Sequence, residues 1–216
     1  MIPKARALVI LLAAALAAAG LASRREFLAL LQPAPAVKLA AVALPAALLE
    51  GDLVFRQGRD AVSGAVLALD PEPQYSHVGI LARRAGAWVV IHSLPADFPG
   101  DRDGVRMEPL RTYVSPQNAR AAAVYRLRAG SGAGQQAVRS AVMAARSLYE
   151  SHALFDGDFD FRDGERLYCT ELVWRAFRAA GVDLAPAPEW LKLPLRSGYY
   201  ILPSTLIRSG ALVPVT

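Results

Sequence analysis

The sequence predicts an α+β domain, with β-strands in its middle and amphipathic helices towards its end. Two observations support this fold class. Short apolar runs rich in β-branched residues follow one another between residues 51 and 127. Two later segments instead repeat their apolar residues at the spacing of a helix. The 216 residues are enough for one well-buried domain of ordinary size.

The predicted strands follow from these runs in chain order. A short strand is predicted at Gly51–Arg56, after an acidic turn. The next two runs, His77–Ala82 and Ala87–Ser93, are separated by the four residues Arg83–Gly86, which fit the loop of a β-hairpin. Two further strands are predicted at Val105–Met107 and Ala122–Leu127.

Two helices are predicted after the strands. Gln135–Tyr149 has helical apolar spacing, and Cys169–Ala180 is followed by Gly181, which is suited to end a helix as its C-cap. The second helix presents one apolar face, which consists of Leu172, Val173, Ala176 and Phe177. We expect this face to pack on the sheet.

The first 22 residues are typical of a signal peptide or an N-terminal anchor. Lys4 and Arg6 precede the unbroken apolar run Ala7–Ala22, which is the order of the n-region and h-region in exported proteins. Sixteen apolar residues are short for a membrane span, which needs about 20. We therefore favour cleavage before Ser23 over retention as a membrane anchor, and predict location in the periplasm or cell envelope.

The domain boundaries follow from composition. Residues 23–49 are rich in Ala, Leu and Pro, and we interpret them as a tether or partly helical lead-in, because prolines interrupt helices. Residues 50–216 then form the domain. Outside the first 25 residues the chain has 20 basic and 19 acidic side chains, so it lacks the excess of positive charge that nucleic-acid binding requires.

Cys169 is the only cysteine, and it stands at the start of the second predicted helix. A thiol there faces the positive end of the helix dipole, so we expect a lowered pKa and a nucleophilic thiolate. The free N–H groups of the first turn also offer an oxyanion site. Glu171 lies about 200° around the helix axis from Cys169, and we expect it to stabilise the first turn without a catalytic role.

Two of the three histidines fall on the predicted hairpin. If Arg83–Gly86 is the loop, His77 and His92 are direct cross-strand partners on one face of the sheet, with Cβ atoms about 4.5–5.5 Å apart. A thiol nucleophile needs a base, and that base needs an orienting partner. Cys169, His77 and His92 supply these three groups. The same three side chains also suit a zinc site completed by water, which is an alternative from another functional class.

Four motifs in this order carry a resemblance to a known family. They are Gly51-Asp52-Leu53-Val54-Phe55, Ser76-His77-Val78-Gly79-Ile80, Val90-Ile91-His92-Ser93 and Tyr168-Cys169-Thr170-Glu171-Leu172-Val173-Trp174. The chain from about Glu50 to Val213 resembles the YiiX-like, circularly permuted branch of the NlpC-type papain-like cysteine peptidases. The lecithin retinol acyltransferases belong to the same permuted group.

The resemblance implies a permuted papain-like fold, in which an antiparallel sheet carrying the histidines packs on the helix that bears the cysteine. It implies that Cys169 is the nucleophile, His77 the general base and His92 the third, polar position. Tyr168 matches the residue before the nucleophile, for which we expect a role in the pocket or beside the oxyanion.

The expected function is that of an exported cysteine hydrolase or acyl-transfer enzyme. It would cleave a peptide amide of the cell wall or an acyl ester of a lipid through a thioester intermediate, without a cofactor or a metal. Association with a membrane would come from the N-terminal segment. A non-catalytic binding module on the same fold remains the other alternative.

Overall fold

The computed structural model describes residues 42–96, 101–128, 134–160, 162, 164–192 and 197–216. The predicted leader, residues 1–22, and most of the predicted tether lie outside these ranges. In chain order the elements are β1 (Leu53–Gly58), α1 (Ala61–Leu69), β2 (His77–Arg84), β3 (Ala87–Leu94), β4 (Gly104–Pro109), α2 (Leu110–Tyr113), β5 (Ala119–Leu127), α3 (Gln135–Glu150), α4 (Cys169–Ala179), β6 (Glu189–Leu191), β7 (Gly198–Tyr200), α5 (Pro203–Arg208) and β8 (Leu212–Pro214).

Six strands form one sheet in the order β4-β3-β2-β1-β5-β8, and every neighbouring pair is antiparallel. The five predicted strands and two predicted helices are all present, with ends that differ from the predicted ones by at most three residues. The α+β class is therefore confirmed. The sequence reasoning missed α1, α2, α5 and the short strands β6 to β8. No helix within the described ranges is both long and apolar enough to cross a membrane.

The main core lies between one face of the sheet and the helices α3 and α4. The predicted inner face of α4 is buried there, together with Val78, Ile80 and Ile91 from the sheet. In α3 the buried positions are mostly alanines, such as Ala137, Ala141 and Ala145, whose small side chains allow close helix packing. This core positions the start of α4 at one end of the sheet.

A second, smaller core covers the other face of the sheet. It contains Val54, Leu81, Val90 and Tyr113, and Trp88 packs at its margin. The coil residues Val42, Leu44 and Leu48, from the last part of the predicted tether, also pack on this core. His77 and His92 belong to this face, because they have the same strand parity as Leu81 and Val90 respectively.

The β2–β3 hairpin differs from the predicted one in its loop and register. Arg84 pairs with Ala87, so the loop is only Ala85-Gly86, and His77 and His92 are not direct partners. Both loop residues have positive φ, +48° for Ala85 and +79° for Gly86, as a two-residue type I′ turn requires. The register is shifted by two residues. Because side chains alternate with a period of two, a shift of two keeps both histidines on the same face.

Candidate active site

Cys169 is the first residue of α4, and side-chain hydrogen bonds fix this end of the helix. The Ser93 hydroxyl, at the end of β3, donates to the Leu167 carbonyl at 2.6 Å. The Thr170 hydroxyl donates to the Ile201 carbonyl at 2.5 Å. The helix start is thus held between the strand that carries His92 and the segment that precedes α5.

The Cys169 thiol is partly buried, at the start of β2. Burial raises its pKa to about 11, although backbone hydrogen bonds from Val78 and Thr170 and the charge of Arg56 act to lower it. Val78 directly follows His77, so the sulfur sits beside the residue that carries the expected base. The predicted lowering of the thiol pKa is therefore wrong, because loss of hydration outweighs the helix N-terminus. Cys169 is a neutral thiol at neutral pH.

His77 and His92 are joined directly by their rings. Nε2 of His77 lies 2.9 Å from Nδ1 of His92, and the two rings are close to perpendicular, with centroids 5.0 Å apart. Both side chains are buried. The structure therefore brings the two predicted histidines together, as diagonal rather than direct neighbours across the hairpin.

Glu108 of β4 extends this pair into a chain of three groups. Its Oε1 lies 2.8 Å from Nε2 of His92. Partial burial acts to raise the pKa of Glu108, but the close contact with His92 and the nearby arginines lower it below its ordinary value. The carboxylate is thus ionised and can only accept hydrogen bonds.

The acceptor at the end of the chain determines the tautomer of each histidine. The contact between His92 Nε2 and Glu108 is close but does not have hydrogen-bond geometry. Because a carboxylate can only accept, the contact still favours the His92 tautomer with its proton on Nε2, which leaves Nδ1 as an acceptor. His77 must then donate from Nε2, which leaves Nδ1 without a proton. The only free ring nitrogen of His77 is therefore basic, as a general base requires.

Both histidines are neutral at neutral pH. Burial, followed by the charge of Arg56, lowers the pKa of His77 well below 6.5. Burial likewise lowers the pKa of His92 to about 4, although its contact with Glu108 acts in the opposite direction. The resting site therefore pairs a neutral thiol with a neutral imidazole.

Arg56 and Tyr113 complete the surroundings of the histidines. Arg56 is the cross-strand partner of His77, and its Nη1 donates to the Tyr113 carbonyl at 2.8 Å. The guanidinium also lies over the Tyr113 ring, 4.4 Å from its centroid. That ring is 5.0 Å from the His92 ring, centroid to centroid. The ring of the buried Tyr113 thus packs against the ring of His92.

A family model described as a permuted papain-like amidase enzyme, YaeF/YiiX, C92 family, matches residues 47–197. The chain belongs to the C92 family. The predicted resemblance is therefore confirmed, and the coarse function is that of a papain-like cysteine hydrolase. A comparison with curated proteins finds no significant match.

The fold of this C92 chain is also that of a solved structure, metalloprotein YiiX from Escherichia coli O157:H7. The TM-score is 0.61 at 20% sequence identity, and the match covers 77% of this chain and 96% of the other. The permuted arrangement predicted from the motif order is confirmed: the sheet that carries the histidines precedes the helix that bears the cysteine.

The zinc alternative does not fit the geometry of this C92 site. A zinc ion needs ligand nitrogens that converge on one point about 2.0–2.1 Å from each. Here the histidine nitrogens face each other, and the second nitrogen of His92 faces Glu108. Within the described ranges no group of three or more His, Cys, Asp or Glu side chains is arranged to hold a metal ion.

Tyr168 and Glu171 have structural partners in this C92 chain. The Tyr168 hydroxyl accepts a hydrogen bond from the Ile201 amide at 3.2 Å, and the residue is buried in the main core. Glu171 forms an ion pair of 2.7 Å with Arg175, one turn along the helix. Burial raises the pKa of Glu171 to about 7, while Arg175 and the Tyr168 backbone act to lower it.

Sequence reasoning missed Glu108, Arg56 and Tyr113. One signal was available for Glu108: it directly follows the predicted strand Val105–Met107, and it has the parity of a residue that shares a face with His92 once β3 pairs with β4. That pairing, His92 with Arg106, was not predicted. Nothing in the sequence marks Tyr113, which comes from a helix of four residues.

Proposed function

We propose that this protein is a cysteine amidase or acyl-transfer hydrolase that acts through Cys169, His77, His92 and Glu108. The observation that carries the proposal is the continuous chain from Glu108 through His92 to His77, which ends beside the N-terminus of the helix that bears the only cysteine. A buried chain of this kind orients one basic nitrogen, which is what a thiol nucleophile needs.

In the proposed reaction, Nδ1 of His77 removes the thiol proton as Cys169 Sγ attacks the carbonyl carbon of an amide or ester. The tetrahedral oxyanion is stabilised by the backbone N–H of Cys169 at the helix N-terminus. When the intermediate collapses, the carbon–nitrogen or carbon–oxygen bond breaks, and the His77 imidazolium protonates the leaving group. Water or another acceptor then attacks the thioester, with His77 again as the base.

The resting protonation states favour proton transfer during attack over a preformed thiolate. The thiol pKa of about 11 and the depressed pKa of His77 make the thiolate–imidazolium pair unfavourable before substrate binds. The imidazolium formed in the reaction is adjacent to His92 and Glu108, whose negative charge stabilises it. Through His92, the carboxylate of Glu108 thus stabilises positive charge on His77 without contacting it.

The test is hydrolysis of cell-wall peptide amides and lipid acyl esters by the wild type and by three variants. We expect Cys169→Ala to abolish turnover and His77→Ala to lower kcat by about 10²–10⁴-fold. His152→Ala, which alters an exposed histidine at the end of α3, is the matched control and should retain full activity. Mass spectrometry should detect an acyl adduct on Cys169. If Cys169→Ala retains the biological activity of the protein, the protein is a binding module and the enzyme proposal fails.

Alkylation by iodoacetamide measures the thiol directly. Because burial raises the pKa of Cys169 to about 11, the reaction rate should keep rising above about pH 8.5, which is the ordinary pKa of a free thiol. A rate that is already maximal near pH 7 would show a preformed thiolate and contradict the general-base mechanism.

We also propose that the enzyme is exported, on the basis of the basic and apolar order of residues 1–22. Under this proposal the substrate lies in the cell envelope. Edman sequencing of the protein purified from cells should begin at Ser23. An intact N-terminus in a membrane fraction would instead indicate a retained anchor, and an intact N-terminus in the cytosol would contradict export.

A further inference from the structure

A cavity of about 580 Å³ opens on the sheet face that carries the histidines. Its charged lining residues are Arg56, Arg59, Asp60, Arg106 and Glu108. Two of them border the proposed catalytic chain: Glu108 contacts His92, and Arg56 is the cross-strand partner of His77. The volume is typical of sites for small organic ligands.

Arg56 is a buried cation that forms no ion pair with a carboxylate of the described residues. Only 3% of the residue is exposed, and its hydrogen bond among the described residues is the one from Nη1 to the Tyr113 carbonyl. Its Nε is buried and has no hydrogen-bond partner in the same part of the chain. A buried charge is costly unless it is paired. The charge of Arg56 lowers the pKa of the nearby Glu108, but the described residues give it no direct ion pair at the wall of this cavity.

The other charged groups leave positive charge in excess. Both carboxylate oxygens of Asp60 accept hydrogen bonds from Ser63, at 2.7 and 2.8 Å, and Glu108 contacts His92. Nη2 of Arg106 donates to the carbonyls of Pro95 and Arg102 and lies 3.5 Å from Asp101. Its buried Nε has no hydrogen-bond partner in the described ranges. Arg59 is exposed at the cavity mouth. The acids are therefore engaged, and the lining carries three arginines against two carboxylates.

We propose that this cavity binds an oxyanion, a carboxylate or phosphate group, between Arg56, Arg59 and Arg106. Planar guanidinium groups match such groups in geometry as well as charge. We assign the oxyanion to the substrate, an assignment that rests on the proposed function. The enzyme would then prefer amides or esters that carry a negatively charged group. A free anion from solution is the other source of the same chemistry.

The bound oxyanion would also act on the proposed base. The charge of Arg56 lowers the pKa of both His77 and Cys169. An anion beside Arg56 offsets that charge and makes His77 a stronger base. Substrate binding and base strength are thereby coupled through one residue.

The first experiment measures anion binding without catalysis. Inorganic phosphate and acetate are titrated into Cys169→Ala by isothermal calorimetry, and we expect saturable binding. Adding Arg59→Gln and Arg106→Gln should weaken the affinity at least tenfold. Adding Arg139→Gln instead, an exposed arginine on α3, is the matched control and should change nothing. Absence of saturable binding to Cys169→Ala would overturn the proposal. Equal affinity in Cys169→Ala with and without Arg59→Gln and Arg106→Gln would overturn it too. Circular dichroism verifies that each variant is folded.

The second experiment identifies the source of the anion. Wild-type enzyme is given two amides that differ only in a free carboxylate or its carboxamide. We expect kcat/KM to be at least tenfold higher for the carboxylate, and this preference to vanish in Arg59→Gln/Arg106→Gln. Anion binding without such a preference would overturn the assignment to substrate and leave a free-anion site. If neither amide is hydrolysed although phosphate binds, the proposed function fails and the anion site stands.

Discussion

Glu108 is the residue on which the protonation pattern of the site depends. It is the only group of the Glu108–His92–His77 chain that can accept but not donate, so its contact with His92 favours one direction for the hydrogen bond between the two histidines. About a fifth of its side chain is exposed, 21% against 0% for His92. The chain therefore connects a fully buried histidine pair to a carboxylate that solvent can reach.

Two substitutions at Glu108 separate its charge from its contact with His92. Glu108→Gln keeps an acceptor for His92 but removes the negative charge, and we expect a loss of about 10-fold in kcat. Glu108→Leu removes both, so that the tautomers are no longer fixed, and we expect a loss of about 10²-fold or more. Steady-state kinetics with the acid limb of the pH profile measure both effects.

Glu72→Gln is the matched control for these variants, because the one ion pair of Glu72 among the described residues is with the exposed Arg208, at 3.1 Å. It should keep wild-type kinetics. Equal activity of Glu108→Leu and wild type would show that the third group does not orient the base, and would reduce the proposed chain to a Cys169–His77 pair.

At the level of residues, the sequence predicted Cys169, His77 and His92 but not what surrounds them. Their identification rested on residue type and, for the two histidines, on strand parity. An error of two residues in register does not change that parity. Glu108 and Arg56 act through contacts between non-adjacent strands. Such contacts depend on the order of strands in the sheet, which local patterns do not encode. The raised pKa of Cys169 depends on burial of the whole site, and was predicted with the wrong sign.

At the level of elements, the β2–β3 hairpin determines whether the two histidines meet. Gly79 is the residue opposite His92 in the register implied by the Ile80–Ile91 pair. A Cβ on Gly79 would lie 2.9 Å from the Ile91 carbonyl oxygen and 3.0 Å from Cβ of His92, and would overlap the Val90 side chain. The absence of a side chain at this position lets His92 lean diagonally towards His77.

Gly79→Ala tests this role of the hairpin. We expect overpacking to lower the free energy of unfolding by about 1–3 kcal/mol. We also expect a lower kcat/KM at low temperature, where the variant is still folded, because His92 is displaced. Urea unfolding and kinetics measure the two effects. Gly64→Ala, in α1 where an added Cβ meets nothing within 4 Å, is the control and should leave activity unchanged. Full activity in a folded Gly79→Ala protein would contradict this account.

The loop of the same hairpin explains why its register was predicted wrongly. Arg83-Arg84-Ala85-Gly86 offers no Asn-Gly or Asp-Gly pair, the usual signal of a two-residue turn. Ala85 nevertheless takes a positive φ, which costs a non-glycine residue about 1 kcal/mol. Extending both strands adds the pairs Arg83–Trp88 and Arg84–Ala87. These pairs, and the Arg83 guanidinium 3.5 Å from the Trp88 ring centroid, offset that cost.

At the level of the whole molecule, the fold separates the two halves of the site onto opposite faces of one sheet. The helix that bears Cys169 packs on the main core, whereas His77, His92 and Glu108 belong to the face of the second core. They meet at the sheet end where β2 begins. This arrangement buries ionisable groups, so the stability of the protein must depend on pH.

We expect the free energy of unfolding to fall as the pH is lowered below about 6.5, the ordinary histidine pKa. The folded state keeps His92 neutral with a pKa of about 4, and it lowers the pKa of His77 in the same direction. The unfolded chain therefore takes up protons first. Stability is full above pH 6.5 and decreases towards pH 4, with His92 alone accounting for roughly 3 kcal/mol.

Urea unfolding between pH 7 and 4.5 measures this dependence, and two variants assign it. His92→Gln has no titrating group at this position, so its stability should change less steeply over the same range. His152→Gln, which alters an exposed histidine, should follow the wild type. A wild-type stability that stays constant from pH 7 to 5 would mean that the folded protein and the unfolded chain take up protons equally over this range. The pKa values of His77 and His92 would then not be lowered by folding, which would contradict the burial of a neutral histidine pair.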